Sequence, residues 1–249
     1  MGKIVAIGGG EIGRPGFPVE TLAIDRRIIE LTGKKRPKLL FIPTASSDSE
    51  VYVATVQKHF GERLGCHVDV LYLVKKKTPL KLIRKKISNA DVIYVGGGNT
   101  LKMMSLWRKQ GVDKFLQQAH QKGTILTGIS AGAICWFKHG SSDSRQKGSR
   151  DKRLIRVRGI GIVNATLSPH HLCEKNRKQG IIDIMSRTFG IAIALDDYCA
   201  IEILDDRYRL IASKPFAGAH KVYFKKGKAH YESVAKTKKH QPLKHLLQK

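Results

Sequence analysis

The sequence predicts an α/β fold: a mostly parallel central sheet, helices on both of its faces, and an antiparallel edge near the C-terminus. Three observations predict it. Short runs of β-branched and aliphatic residues alternate with helical stretches through the first 130 or so residues. Those runs are apolar almost throughout rather than at every second position, the pattern of strands covered on both faces. Beyond residue 195 the apolar runs follow one another with only turn residues between them, as in a meander.

Taken in order, strands are expected at Lys3–Gly8, Leu39–Pro43, His67–Leu73, Val92–Gly96 and Thr124–Gly128. Helices are expected between them near Pro18–Leu31, Glu50–Leu64, Leu80–Ser88 and Asp113–Lys122, with a further helix opening at Leu101. Parallel β-α-β units have this rhythm. Ala131–Phe137 reads as helical. Past Arg158, Gly159–Val163 and Ile191–Leu195 read as strands around a helix at Lys175–Arg187. Ala200–Leu204, Tyr208–Ser213 and Lys221–Lys225 form the expected meander, with Asp205-Asp206-Arg207 as a turn. The whole reads as one domain over residues 1–235, followed by a basic tail at 236–249. Arg145–Lys152 reads as a flexible loop.

The chain has 249 residues, enough for a sizeable core. It has no run of 18 apolar residues, and its first residues read directly as a strand rather than as a secretory signal. Cys66, Cys135, Cys173 and Cys199 lack metal-ligand spacing, which fits reduced thiols in a cytoplasm. The charge is unusual: 46 Lys and Arg against 20 Asp and Glu give +26. Such a surface attracts polyanions. Yet the two basic concentrations, Arg145–Arg158 and Lys236–Lys249, contain no interleaved aromatic residues on which bases would stack. A solvated basic surface is the expectation, with neither a specific nucleic acid nor a membrane as partner.

Gly128-Ile129-Ser130-Ala131-Gly132 lies between an apolar run and a helical segment. G-x-S-x-G in that setting is the nucleophile-elbow pattern: small residues admit a tight turn that lifts the serine Oγ from the sheet. The Ala131 N–H would then face a developing oxyanion. A glycine-rich turn with an incidental serine is the plainer alternative. Gly96-Gly97-Gly98-Asn99-Thr100 closes another strand, and Gly97 or Gly98 could supply a second N–H, with Asn99 or Thr100 capping the next helix. A nucleophilic serine needs a base, and the base an orienting acid. His170, beside Pro169 after a strand, is the leading base and His171 its competitor. Asp197 is the leading acid, at the end of an apolar run. Asp196 and Asp143 remain open, the latter because α/β-hydrolases place the acid between serine and histidine. His220, His230, His240 and His245 read as surface residues.

Gly8-Gly9-Gly10-Glu11-Ile12-Gly13 satisfies G-x-G-x-x-G after a first strand. Pro15 would disturb a helix starting there, and no ribose-binding acid ends the second strand. No nucleotide cofactor is expected, and the glycines read as a turn near substrate.

Gly96–Thr100, Gly128–Ala133 and Pro169-His170 together, in this order and spacing, resemble peptidase E, the family of aspartyl dipeptidases and their cyanophycinase relatives. The resemblance covers about residues 1–215. It implies a fold like that of class I glutamine amidotransferases and a Ser-His-acid triad, with Ser130 as nucleophile, His170 as base and the N–H groups of Gly98 and Ala131 as oxyanion hole. The family's acid is usually a glutamate. Asp197 in its place is one methylene shorter, so its backbone must come closer to His170. Arg177 falls where the aspartyl dipeptidases carry an arginine that clamps the substrate carboxylate, and Asn99 is a second substrate-binding candidate. The implied enzyme needs no metal or organic cofactor and takes small peptides, among them dipeptides with N-terminal Asp; a homodimer is the expected assembly, though the sequence itself does not give the oligomeric state. Two other readings stay open: a cyanophycinase-like or other amide hydrolase, and a protein that has lost catalysis and binds through its basic surface.

Overall fold

The computed structural model describes residues 2–146, 153–174 and 176–249. Much of the Arg145–Lys152 loop, and of the basic concentration that includes it, lies outside them.

Five strands run parallel in the principal sheet: β1 (Lys3–Ile7), β2 (Lys38–Ile42), β3 (His67–Val70), β4 (Val92–Val95) and β5 (Ile125–Ile129), in the order β1-β5-β4-β2-β3. They carry side chains to two apolar layers. Ile4, Ala6, Leu40, Ile42, Val95 and Leu126 face one. Val5, Ile7, Leu39, Phe41, Val92 and Ile129 face the other. Period-two alternation with both sets apolar is what a doubly covered strand requires.

The second layer is closed by α1 (Leu22–Glu30) and by α2 (Glu50–Val56), which continues as a π-helical segment over Gln57–Arg63. The first is closed by α3 (Leu80–Ser88), α4 (Thr100–Gln110), α5 (Val112–Gln121) and the single turn α6 (Ala131–Ile134).

Beside the expected central sheet, the rest of the chain builds a second one. β6 (Phe137–Ser142), β7 (Ile155–Arg158), β8 (Val163–Ser168) and β9 (Ala192–Leu195) start a second sheet. β12 (Ala219–Lys225) and β13 (Lys228–Ser233) complete it, in the order β13-β12-β9-β8-β6-β7. Its inner face, with Val163, Leu167, Ile193 and Leu195, packs into the first apolar layer. Its outer face is covered by α7 (Arg177–Ser186) through Ile181 and Met185.

Gly159–Val163 is therefore not a strand but mostly the crossover between β7 and β8. At Gly159 a Cβ would lie 2.2 Å from the Phe137 carbonyl oxygen, so the chain turns there because only glycine fits. Phe137, expected as the end of a helix, instead begins β6.

The expected antiparallel edge is present but divided. β10 (Cys199–Leu204) pairs with β1 and with β11 (Arg207–Ala212) in the principal sheet, whereas β12 crosses to the second. Residues 213–218, with Pro215 and Gly218, make that crossing.

The segment 236–249, expected as a tail, folds onto the principal sheet. β14 (Gln241–Pro242) pairs with β11, and α8 (Leu243–Leu247) buries Leu246 to 2 % exposure in the first apolar layer. His240, expected at the surface, bonds the fully buried Glu202, which also accepts from Arg27 and Arg209. One carboxylate thus ties α1, β11 and the C-terminal segment together.

Leu246→Ala should lower the unfolding free energy by about 2 to 4 kcal/mol, as for a buried leucine cut back to alanine. Urea denaturation measures this, and an unchanged midpoint would show that α8 contributes nothing to the core.

Candidate functional site

Ser130 follows β5 at the carboxyl edge of the principal sheet. Its backbone is at φ 56°, ψ −113°, outside the regions a residue with a side chain ordinarily occupies. Its neighbours impose this. A Cβ on Gly128 would lie 2.5 Å from the Gly132 carbonyl oxygen, and a Cβ on Gly132 would lie 2.0 Å from that of Val95. The chain can therefore reverse from strand into α6 only where both flanking residues are glycine. The Ser130 N–H is spent on the Ile7 carbonyl at 3.1 Å, which fixes the corner to β1. The side chain is left partly exposed at the top of the sheet.

His170 lies just past the end of β8, also in the left-handed region at φ 55°. Its Nε2 is 2.8 Å from Ser130 Oγ and its Nδ1 is 2.6 Å from Asp197 Oδ1. Asp197 lies in the turn from β9 to β10, where the chain passes from the second sheet to the principal one.

The loops that carry His170 and Asp197 are both held by backbone of the loop after β1. His170 N–H donates to the Gly8 carbonyl at 3.3 Å and Tyr198 N–H to the Gly9 carbonyl at 2.9 Å. The loop after β1 thus binds both loops that carry the pair. A Cβ on Gly9 would lie 1.7 Å from Asp197 Oδ1 and 2.4 Å from His170 Nδ1. A carboxylate and an imidazole fill the space beside Gly9, whereas at Gly8 a Cβ would lie 2.1 Å from the Asp196 carbonyl oxygen. No helix opens there: the chain continues through a single bridge between Ile12 and Val19 before α1.

Burial alone would raise the Asp197 pKa, but the hydrogen bond from His170 and its charge outweigh that and hold the carboxyl below its ordinary value, helped by the Arg177 charge. An imidazole that donates from Nδ1 to a carboxylate keeps Nε2 free to accept the serine proton.

The competing residues are placed elsewhere. Asp196 is 3 % exposed and accepts from the Gly218 N–H at 2.8 Å, and burial raises its pKa. Asp143 is exposed past β6, and its side chain has no bond to His170. His171 is buried and hydrogen-bonds the Tyr231 hydroxyl. His220 is half-buried and stacks on Tyr231 with ring centroids 4.5 Å apart, rather than standing free at the surface as expected.

Gly97 lies against Ser130, since a Cβ there would be 3.4 Å from Ser130 Cβ. Its N–H points to the Tyr52 hydroxyl at 3.4 Å. Gly98, at φ 137°, would place a Cβ 2.2 Å from the Ala45 carbonyl oxygen. Among the described residues no backbone carbonyl accepts from the Gly98 or Ala131 N–H.

Asn99 takes the capping role rather than a free substrate-facing one. Its Oδ1 accepts from Lys102 N–H at 2.9 Å, and its Nδ2 donates to the Ser144 carbonyl at 2.9 Å. Arg177 opens α7 and is 2 % exposed, donating from Nε to Glu174 at 2.5 Å and from Nη1 to the Ser141 carbonyl at 3.2 Å.

Tyr52 and Tyr198 were not singled out by sequence. Tyr52 belongs to an amphipathic helix, and nothing local marks its hydroxyl as reaching Gly97. Tyr198 is set at φ 65° by the Gly9 contact, which is tertiary. Among the described residues no group of three or more His, Cys, Asp or Glu side chains is arranged to hold a metal ion.

Residues 4–211 match Peptidase family S51. The chain belongs to that family. An uncharacterized peptidase of Bacillus subtilis, YgaJ, is 34 % identical over 226 residues, covering 89 % of this chain and 92 % of its own. A protein named Peptidase E from Streptomyces coelicolor is 25 % identical over 138 residues, 54 % of this chain and 51 % of that one. The fold recurs in the crystal structure of a peptidase from an acI-B1 Actinobacterium, at TM-score 0.72 and 20 % identity over 97 % of this chain and 96 % of that one. It recurs also in a putative Peptidase E from Listeria monocytogenes, at TM-score 0.62 and 20 % identity over 85 % and 98 % of the two chains. As a member of S51 the chain is a peptidase of the serine hydrolase class.

Two measurements probe the site of this S51 peptidase. Gly9→Ala should leave the protein folded but part His170 from Asp197, with peptide turnover reduced on the order of 10²-fold, as misplacement of a reacting group by about 1 Å does. Turnover at the wild-type rate would mean that Gly9 does not set the pair. Because the folded Asp197 carboxyl sits below its ordinary value of about 3.9, its stabilising contribution is in place above that pH and is lost as pH falls through the lower folded value. Denaturation of wild type and Asp197→Asn should differ near neutrality and converge in acid. A gap that stays the same from neutrality into acid would contradict this.

Proposed function

We propose that this peptidase is a cytoplasmic serine exopeptidase for short peptides, with Ser130 as nucleophile, His170 as general base and acid, and Asp197 as the acid that orients the imidazole. The observation that carries the reading is the position of His170, within hydrogen-bond distance of Ser130 Oγ on one ring nitrogen and of Asp197 on the other. In this mechanism His170 Nε2 takes the Ser130 proton as Oγ attacks the scissile carbonyl. Asp197 holds the Nδ1 proton and stabilises the imidazolium. The N–H groups of Gly98 and Ala131 receive the oxyanion, both being uncommitted to backbone carbonyls among the described residues. His170 then gives its proton to the leaving amine. Water, deprotonated by the same base, releases the acyl group and regenerates the serine.

Preference for an N-terminal aspartate is the narrower part of the proposal, and Arg177 is its candidate. Nε and one Nη1 proton of its guanidinium already donate within the protein, which leaves the second Nη1 proton and both Nη2 protons for a substrate carboxylate. The four cysteines are unpaired, which suits a reducing compartment. No helix among the described residues is long and apolar enough to cross a membrane.

Ser130→Ala should abolish hydrolysis of an Asp-Leu dipeptide while the circular dichroism spectrum stays that of wild type. Turnover that survives in the variant would exclude Ser130 as nucleophile. A panel of Asp-Leu, Ala-Leu and a β-aspartyl isopeptide reads the substrate preference, and equal rates on Asp-Leu and Ala-Leu would exclude a carboxylate clamp.

A further inference from the structure

His170 and Asp197 each adjoin a buried polar residue whose side chain engages the second sheet. His171 is 4 % exposed and Asp196 is 3 % exposed. Both are tied to the same hairpin. His171 Nε2 is hydrogen-bonded to the hydroxyl of Tyr231 on β13. Asp196 donates its N–H to the Gly218 carbonyl at 3.1 Å and accepts the Gly218 N–H on Oδ2 at 2.8 Å, directly before β12.

The rings of His171, His220 and Tyr231 form one cluster. His171 lies 5.6 Å from His220 and 5.5 Å from Tyr231, and Lys178 of α7 caps the tyrosine ring at 4.7 Å. The two loops also tie to each other, through His171 N–H on the Leu195 carbonyl at 3.0 Å.

Resting on the proposed triad, we propose that the β12–β13 hairpin is a positioning element for it: Tyr231, through His171, sets the loop of His170, and Gly218, through Asp196, sets the loop of Asp197. The need for such a device is visible in the backbone. His170 and Tyr198 hold left-handed φ values of 55° and 65° without being glycine. Such conformations persist only where the surroundings over-determine them.

The hydroxyl of Tyr231 is the decisive contact. His171 Nδ1 has no hydrogen-bond partner, so Nε2 is the one polar anchor of that buried ring among the described residues. Burial, with the neighbouring His220 and Lys178, pushes its pKa down to about 4, so the ring is neutral in the working range. Without the hydroxyl both ring nitrogens would be buried and unpaired. The ring then gains by turning toward water, and the chain that turns it carries His170 at the preceding position. A serine–imidazole pair displaced by about 1 Å loses on the order of 10²-fold in rate.

The test is the second-order rate of Ser130 labelling by a fluorophosphonate, which reads nucleophile activation without reference to any peptide. Wild type should label and Ser130→Ala should not. Tyr231→Phe, which keeps the ring and its stacking, should label ten- to a hundredfold more slowly while unfolding within a few degrees of wild type. Its kcat on any peptide substrate should fall by a similar factor with KM within twofold. His171→Leu should behave as Tyr231→Phe does, and His171→Gln, which keeps a polar atom near Nε2, should recover to within threefold of wild type. If His171→Leu does not fold, Tyr231→Phe decides alone. Labelling of Tyr231→Phe at the wild-type rate would overturn the positioning role and leave the triad standing. A wild-type protein that does not label at Ser130 would overturn the triad, and the positioning role with it.

Discussion

The structure turns on a shortage of space where β1, β4 and β5 end. Carbonyl groups of Val95 and Gly132 crowd the corner so closely that Gly128 and Gly132 cannot carry a Cβ. With both neighbours reduced to backbone, the chain reverses in one residue, and that residue is Ser130. Its unfavourable φ and ψ are the geometric result of this crowding, held by the core on either side of the sheet. The same crowding recurs one strand away, where Gly9 gives up its side-chain volume to the His170–Asp197 pair. Glycine in these places is a steric requirement at a junction of backbones.

The three side chains of the proposed triad come from two layers. Ser130 and the glycine loops belong to the principal sheet. His170 follows β8 of the second sheet, and Asp197 lies in the chain segment that leaves that sheet after β9. The site therefore exists only where the two sheets are pressed together by their shared apolar layer, with Leu167, Ile193 and Leu195 on one side and Ala6, Val95 and Leu126 on the other. The hydrogen bonds from His170 to Gly8 and from Tyr198 to Gly9 span that seam with backbone atoms alone, and so keep registry independent of side-chain rotamers.

Much of this could be read from the chain, and the rest could not for identifiable reasons. The five parallel strands and the helices between them announce themselves through continuous apolar runs such as Lys38–Ile42 and Val92–Val95. Ser130 shows through its flanking glycines, because the constraint on it is local. His170 and Asp197 stand at strand ends, a position visible in sequence, but the choice among Asp197, Asp196 and Asp143 depends on which turn faces which sheet. The second sheet was invisible as a separate layer. The residues of β12 say nothing about the sheet it joins, so from sequence the meander reads as one edge. Gly159 and Gly161 interrupt an apolar stretch that reads as one strand, and the steric clash that makes Gly159 a crossover comes from Phe137, more than twenty positions earlier. Leu246 and His240 were hidden by the surrounding lysines. An amphipathic segment this short gives little periodicity, and a basic composition draws attention to solvent.

The central claim is that one imidazole joins a strained serine to an aspartate across the seam of two sheets. Proton NMR of the wild-type protein in cold, mildly basic buffer observes that join directly, through the His170 Nδ1 proton. The account predicts a resonance well downfield of the amide envelope that persists in Ser130→Ala and disappears in Asp197→Asn. Its absence from the wild-type spectrum, or its survival in Asp197→Asn, would contradict the account.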